Sequence, residues 1–188
     1  RTEMDFKPRL KLTATLLATV LFCSACQSLI PSAQGLVTPS WVAQSYQRQD
    51  QIEVQWKTQS FSFLLYQQQR GQSLDMLALS LTGQQLFKLS FDGQKVDVEQ
   101  RIDPMKRLPF DYVVRDILYA TYPNFAGLHA AQNAVVQKDD TIYMQQQPVL
   151  KIQQNEGAIE LDNLQVPYQM VISAVSNTLE DDQGDHHD

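Results

Sequence analysis

The stretch LDMLALSLTGQQLFKLSFDG, residues 74–93, decides the fold class of this 188-residue chain. Its first eight residues are almost entirely apolar, which is typical of a strand covered on both faces. After a turn at Thr82–Gly83, residues 85–91 alternate between apolar and polar side chains, as in a strand with one buried face. Asp92–Gly93 then predicts a two-residue hairpin before a further strand at residues 95–98. The stretch therefore predicts three neighbouring antiparallel strands.

The same alternation precedes this stretch. Residues 52–57 and 61–65 each place apolar side chains on one face of a strand. Further along the chain, residues 110–121 carry apolar side chains at helical spacing, with Asp111 and Arg115 placed to pair across one turn. We therefore expect five antiparallel strands followed by an amphipathic helix.

Strand patterns resume after this helix. Pro123 should end it, and a second short helix is expected at residues 124–131, capped by Asn124. The later strand patterns cover residues 133–137, 141–146, 149–153, 158–161 and 168–175. Long antiparallel runs with one helical insertion predict a mainly β domain of the α+β class. We expect a strongly curved antiparallel sheet or half-open β-barrel, with the helix covering its concave face.

The first 25 residues have the composition of a secretory signal. A basic start is followed by an uncharged apolar segment at residues 12–22, which is too short to span a membrane. Residues 23–26, Cys-Ser-Ala-Cys, resemble the bacterial lipobox, in which the last cysteine is diacylated and becomes the mature N-terminus. Cys26 is thus the expected lipid anchor. The alternative is an ordinary cleaved signal that leaves a soluble periplasmic protein with a free thiol.

The chain divides into four expected parts. Residues 1–25 are a lipoprotein signal peptide and residues 26–40 a flexible tether rich in Pro, Gly and Ser. Residues 41–178 form a single β domain, and residues 179–188 are a disordered acidic tail. Gln27 replaces the Asp that usually signals inner-membrane retention in lipoproteins, so we expect an outer-membrane protein that faces the periplasm.

Composition argues against several classes of function. Residues 26–188 contain 11 basic and 19 acidic residues, whereas nucleic-acid binding requires a basic surface. Cys26 is the last cysteine, so no disulfide framework is expected. His129 has no Cys or His near it in sequence, and neither a Gly-rich phosphate loop nor a Gly-x-Ser-x-Gly turn occurs. We expect no enzyme activity, no cofactor and no metal.

An excess of apolar residues is the remaining clue to function. The residues expected on one face of three neighbouring strands are Phe61, Phe63, Leu65, Leu77, Leu79, Leu81, Phe87, Leu89 and Phe91. The residues of the helix expected to cover that face are Phe110, Val113, Val114, Ile117 and Leu118. This face either forms a core filled by the helix or encloses a dry ligand pocket, since ligand pockets are mostly apolar. Leu64, Tyr66, Leu74 and Met76 are expected on the opposite face.

Three segments carry a resemblance to a known family. They are the block at residues 81–93, the helix segment at residues 116–120 and the strand entry Leu-Gln-Val-Pro-Tyr at residues 164–168. Together they resemble a family of uncharacterised bacterial lipoproteins, often encoded beside genes for aryl-polyene pigment lipids. The resemblance implies a fold similar to the lipoprotein-localisation proteins LolA and LolB, an open β-barrel with helices over a cavity for acyl chains. It implies no catalytic residues.

Two functional hypotheses follow. The first is an outer-membrane lipoprotein that binds a lipid or acyl-bearing molecule, with an aryl-polyene lipid as the candidate, and assists its transport or insertion. The second is a non-catalytic interaction module that recruits a protein partner in the cell envelope. A sealed apolar cavity would favour the first, whereas a filled core with an exposed apolar patch would favour the second.

Overall fold

The computed structural model describes residues 33–38, 45–130 and 135–175. Within these ranges the chain forms ten strands, one 3-10 helix and two α-helices. The strands are β1 (Gln47–Trp56), β2 (Gln59–Arg70), β3 (Ser73–Leu79), β4 (Gln85–Phe91), β5 (Val96–Arg101), β6 (Val135–Lys138), β7 (Thr141–Met144), β8 (Gln147–Asn155), β9 (Ala158–Asn163) and β10 (Tyr168–Ala174). The 3-10 helix spans Asp103–Arg107, and the α-helices are α1 (Phe110–Thr121) and α2 (Phe125–Ala130).

All ten strands belong to one antiparallel sheet. Its order is β5-β4-β3-β2-β1-β10-β9-β8-β7-β6, so the first and last strands in sequence pair at its centre. The edge strands β5 and β6 do not pair with each other, and the sheet is therefore not closed. The predictions of a mainly β fold and of antiparallel strands on both sides of a helical insertion are confirmed.

The sheet curves around the helices. A flat sheet of ten strands would place β5 and β6 roughly 43 Å apart, since neighbouring strands are about 4.8 Å apart. Helix α1 has 12 residues and is thus only about 18 Å long. Yet α1 contacts both β5 and β9, and α2 contacts β6 at the other edge. In addition, Gly35 and Thr38, at most about 11 Å apart, reach Met144 of β7 and the Gly93 carbonyl after β4, so the sheet must curve toward the helices.

Aromatic side chains fill the space between the sheet and α1. The rings of Phe63 and Phe87 lie 5.5 Å apart, edge to face, and Phe87 contacts Phe110 of α1 in the same way at 5.1 Å. Such edge-to-face pairs stabilise a core beyond the effect of the area they bury. The helix begins at Phe110 and ends at Thr121, as its apolar spacing predicts.

The predicted orientation of β3 is wrong. Leu74, Met76 and Ala78 point inward and are buried, whereas Leu77 and Leu79 lie on the outer face. The register explains this, because Leu74 pairs with Phe91, Met76 with Leu89 and Ala78 with Phe87, and directly opposite residues share a face. Leu81 lies beyond the strand and is 61% exposed.

The predictions for β2 and β4 are confirmed. Phe63, Leu65, Phe87, Leu89 and Phe91 are buried on the inner face, and Phe61 packs at the edge of the same core. The turn after β4 is longer than predicted. Since Phe91 pairs with Val96, the loop contains four residues instead of two.

Several sequence predictions fall outside the described ranges. They are the signal peptide and Cys26, residues 26–32 and 39–40 of the tether, and the acidic tail at residues 179–188. In the part of the chain that the structure describes, no helix is both long and apolar enough to cross a membrane.

Candidate functional site

The inner face of the sheet is a continuous apolar surface, which we call the covered face. Strands from both sides of the central β1–β10 pair contribute to it. Its fully buried members include Ile52, Phe63, Leu65, Leu74, Met76, Ala78, Phe87, Leu89, Phe91, Val149, Leu150, Leu161, Met170 and Ile172. The five helix residues predicted to cover this face, Phe110, Val113, Val114, Ile117 and Leu118, are all buried against it.

The covered face packs directly against α1. A side chain that lines a void of ligand size keeps surface that a water molecule can touch. Leu65, Leu74 and Ala78 on the sheet, and Val114 and Leu118 on the helix, are 0% exposed. These side chains therefore contact protein atoms on all sides, as expected for close-packed interiors.

A buried polar cluster attaches α1 to the turn between β9 and β10. Arg115 Nε lies 2.7 Å from Asp116 Oδ1, and both side chains are fully buried. Asn163 Nδ2 donates to Asp116 Oδ2 at 2.7 Å, and the Tyr168 hydroxyl donates to the same oxygen. Burial and the nearby Asp116 carboxylate raise the pKa of Tyr168, so the phenol keeps its proton. Arg115, Asn163 and Tyr168 therefore all donate hydrogen bonds to the Asp116 carboxylate.

The predicted pairing of Arg115 with Asp111 is wrong. Arg115 points inward and binds Asp116, its direct neighbour in sequence. Its Nη1 also donates to Gln165 Oε1 at 2.8 Å, and its Cζ lies 5.0 Å from the centre of the Tyr112 ring. Asp111, one turn before Arg115, is only partly buried, and burial raises the pKa of its carboxyl. The i to i+4 spacing could not reveal that Arg115 lies on the apolar side.

Residues 33–38 form a docked segment, which we call the strap. They were predicted to be part of a flexible tether, but Ala33, Leu36 and Thr38 are buried against the domain. Successive strap carbonyls accept hydrogen bonds from α1. Arg115 Nη1 donates to the Gln34 carbonyl at 3.2 Å, and the Tyr119 hydroxyl donates to the Gly35 carbonyl at 3.0 Å.

Helix α2 holds the next part of the strap. The ring of His129 is buried, with Nε2 2.8 Å from the Val37 carbonyl and Nδ1 3.0 Å from the Phe125 carbonyl. The ring also stacks on Tyr119 at 5.9 Å. His129 therefore has the surroundings of a structural histidine that joins the strap to the helices.

The strap crosses the gap between the two ends of the sheet. Near β6, Gly35 lies against Met144 of β7. At the other end, the Thr38 amide donates to the Gly93 carbonyl at 2.8 Å, and Gln94 Nε2 donates to the Thr38 carbonyl at 3.3 Å. Gly93 and Gln94 belong to the β4–β5 turn. The strap thus connects regions next to both edge strands.

Sequence reasoning missed the strap and the polar cluster. One signal for the cluster was present, because Arg115 and Asp116 interrupt the apolar side of a helix. The strap has only Gly35 within an otherwise unpatterned segment, and unpatterned segments usually indicate linkers. Among the described residues, no group of three or more His, Cys, Asp or Glu side chains could hold a metal ion.

Comparison with known proteins identifies a family. No curated protein matches the chain. A family described as "Protein of unknown function (DUF3261)" matches residues 47–176. The match begins at the first residue of β1 and extends just past the end of β10, so it includes the whole sheet, both α-helices and the polar cluster. The chain belongs to the DUF3261 family.

Proposed function

We propose that this protein is an outer-membrane lipoprotein that faces the periplasm and binds an acyl-bearing molecule on the covered face. It would resemble LolA and LolB in fold and assist transport or insertion of its cargo, for which an aryl-polyene lipid is the candidate. The observation that supports the proposal is one continuous apolar face, contributed by both halves of a curved, open sheet and covered by a single amphipathic helix.

Binding on this face requires α1 to move. The helix is bounded by non-helical backbone at Pro109 and Tyr122, and its N-terminus has no side-chain cap. Movement of α1 would break the buried bonds that join Asp116 to Asn163 and Tyr168, so cargo uptake would have to offset that cost. An acyl chain that replaces the apolar side of α1 keeps the sheet dry, and burial of the chain contributes about 25 cal/mol per Å² of apolar surface. The core of the closed state is filled, which by itself favours the interaction module, so lipid binding is proposed only for a state in which α1 has moved away from the covered face.

Anchoring at Cys26 would hold the domain next to the bilayer. Each buried CH₂ of an acyl chain contributes about 0.8 kcal/mol, and two chains are sufficient for stable attachment. Six residues lie between Cys26 and Ala33, and the seven Cα–Cα steps span at most about 25 Å. The start of the strap would therefore lie within that distance of the membrane surface.

A second candidate function rests on the outer face of the sheet. Leu64 pairs with Leu79 and Tyr66 with Leu77 across β2 and β3, and all four side chains are partly exposed. None of them belongs to the residues that pack on the core. This outer patch is the feature that would suit an interaction module with a protein partner.

Titration of the full-length protein with a fluorescent fatty acid, cis-parinaric acid, distinguishes these functions. We expect saturable binding with one site, accompanied by faster hydrogen exchange in α1. The outer-face variant Leu77→Ser should keep the wild-type affinity within about twofold, because an outer substitution leaves the covered face intact. Absence of saturable binding, or its loss in Leu77→Ser, would contradict the proposal.

A further inference from the structure

The strap occupies a cleft that recognises main-chain oxygens. Its walls are α1 and α2 on one side, β7 on another and the β4–β5 turn at the far end. The carbonyls of Gln34, Gly35 and Val37 face Arg115, Tyr119 and His129 respectively. Because these contacts are to main-chain oxygens, the cleft selects a backbone shape, a turn at Gln34 and Gly35 followed by residues 36–38, more than particular side chains.

One strap position does select a residue. Gly35 has a φ of +78°, in the left-handed region that favours glycine. A Cβ added there would lie 2.5 Å from Met144 Cε and 2.9 Å from the Tyr119 hydroxyl oxygen. Met144 is itself buried, at 1% exposure, and the hydroxyl is fixed by its bond to the Gly35 carbonyl. Only glycine fits this position while the strap is docked.

The cleft also contains a donor without a partner. Arg115 is fully buried, and its Nη2 has no hydrogen-bond partner among the residues that the structure describes. Its Nη1 depends on the strap for one of its two acceptors. A buried guanidinium with an unused N–H can donate to a further oxygen atom of a ligand, since leaving a buried donor unsatisfied costs free energy.

Few of the strap's own side chains contribute to its docking. Ala33 and Leu36 are its only buried apolar side chains among residues 33–38, and the remaining contacts are mainly hydrogen bonds of the backbone. Ordering the backbone of six residues has an entropic cost that opposes docking. Because few of its side chains are buried and its ordering costs entropy, the strap can leave the cleft while the sheet stays folded.

We propose that this cleft is a peptide-binding site, that residues 33–38 are its resident ligand, and that they act as a releasable latch across the gap in the sheet. Release removes the link between the β4–β5 turn and β7 and frees α1 and α2 from the segment that follows Cys26. The proposal does not depend on lipid binding, because it concerns recognition of a peptide.

Hydrogen exchange of the full-length protein tests the latch. The Thr38 amide is bonded to the Gly93 carbonyl at 2.8 Å and reports docking directly, whereas the Leu36 amide is bonded to the Ala33 carbonyl within the strap at 3.1 Å and reports the strap's own turn. In Gly35→Ala, we expect these two amides to exchange at least about tenfold faster, with exchange in β1 and β10 unchanged. Gly71→Ala is the matched control. Gly71 also has a positive φ, of 60°, but nothing lies within 4 Å of its added Cβ.

Binding in trans tests the cleft. A labelled peptide of residues 31–40 should bind full-length Gly35→Ala, whose own strap has left, and not the wild type, whose tethered strap has a higher effective concentration. The same peptide with Ala in place of Gly35 should not bind. Tyr119→Phe is a second variant that keeps the glycine, and because it weakens the strap and the added peptide alike, it tests release by hydrogen exchange only.

Three results would overturn the proposal. The first is unchanged protection of Leu36 and Thr38 in both Gly35→Ala and Tyr119→Phe. The second is faster exchange in Gly35→Ala without binding of the glycine peptide. The third is equal binding of the glycine and alanine peptides. Loss of fatty-acid binding with an intact peptide response would contradict the proposed function alone.

Discussion

At the residue scale, Asp116 holds the charge that balances Arg115 in the interior. Removing one partner of a buried ion pair typically destabilises a protein by about 3–5 kcal/mol, because the other charge stays buried. We expect Asp116→Asn to lower the free energy of unfolding by that amount in urea denaturation. Asp103→Asn is the control, since the Asp103–Lys106 pair lies on the surface and its loss should change stability far less than Asp116→Asn. Equal effects of the two substitutions would contradict the role of the cluster.

A second residue, Asp92, gives a prediction on pH. The backbone amides of Lys95 and Gln94 donate to its carboxylate at 2.7 and 2.8 Å, and they lower the pKa of Asp92. A lowered pKa in the folded state means that the stabilisation is present above the unfolded pKa of about 3.9 and is lost as pH falls through the folded value. The difference in urea midpoint between wild type and Asp92→Asn should therefore shrink below about pH 4. A difference that is independent of pH would disagree.

At the element scale, the inward side of β3 sets which residues stabilise the sheet. Met76 is buried on the covered face, whereas its neighbour Leu77 lies on the outer face. We expect Met76→Ala to cost about 2–5 kcal/mol of unfolding free energy. Leu77→Ala should cost less than about 1 kcal/mol, since it leaves no internal cavity. A larger loss of unfolding free energy in Leu77→Ala than in Met76→Ala would instead support the orientation predicted from the sequence, with Leu77 on the covered face.

The elements also show how far sequence reasoning extends. The bounds of α1 were predictable because Pro109 and Pro123 flank the helix. Its inward side was predictable because apolar residues recur there with a period of about 3.6 residues. The inward faces of β2 and β4 were predictable because their residues alternate. Strand β3 is apolar on both faces, so its orientation depends on the register with β4, which periodicity does not contain. The docking of the strap depends on hydrogen bonds to its main-chain carbonyls from residues that are distant in sequence. The residue types of the strap indicate almost nothing about such bonds.

At the scale of the whole molecule, the account depends on attachment at Cys26. When the full gene is expressed in a bacterium that processes lipoproteins, the wild type should appear in the membrane fraction with an acylated N-terminus. Cys26→Ser should be released from the membrane, because no acyl chain holds it. Cys23→Ser should stay attached, since Cys23 precedes the expected cleavage site. Membrane attachment of Cys26→Ser would instead indicate a different anchor.

Native mass spectrometry of the protein purified from its own envelope, with residues 33–38 retained, tests the central claim most directly. The account predicts one acyl-bearing molecule per chain that is released on unfolding and whose removal restores protection of α1 in hydrogen exchange. A folded protein that carries no such molecule, and that also fails to bind added fatty acid in the Gly35→Ala variant, would contradict lipid carriage and favour a protein partner on the outer face.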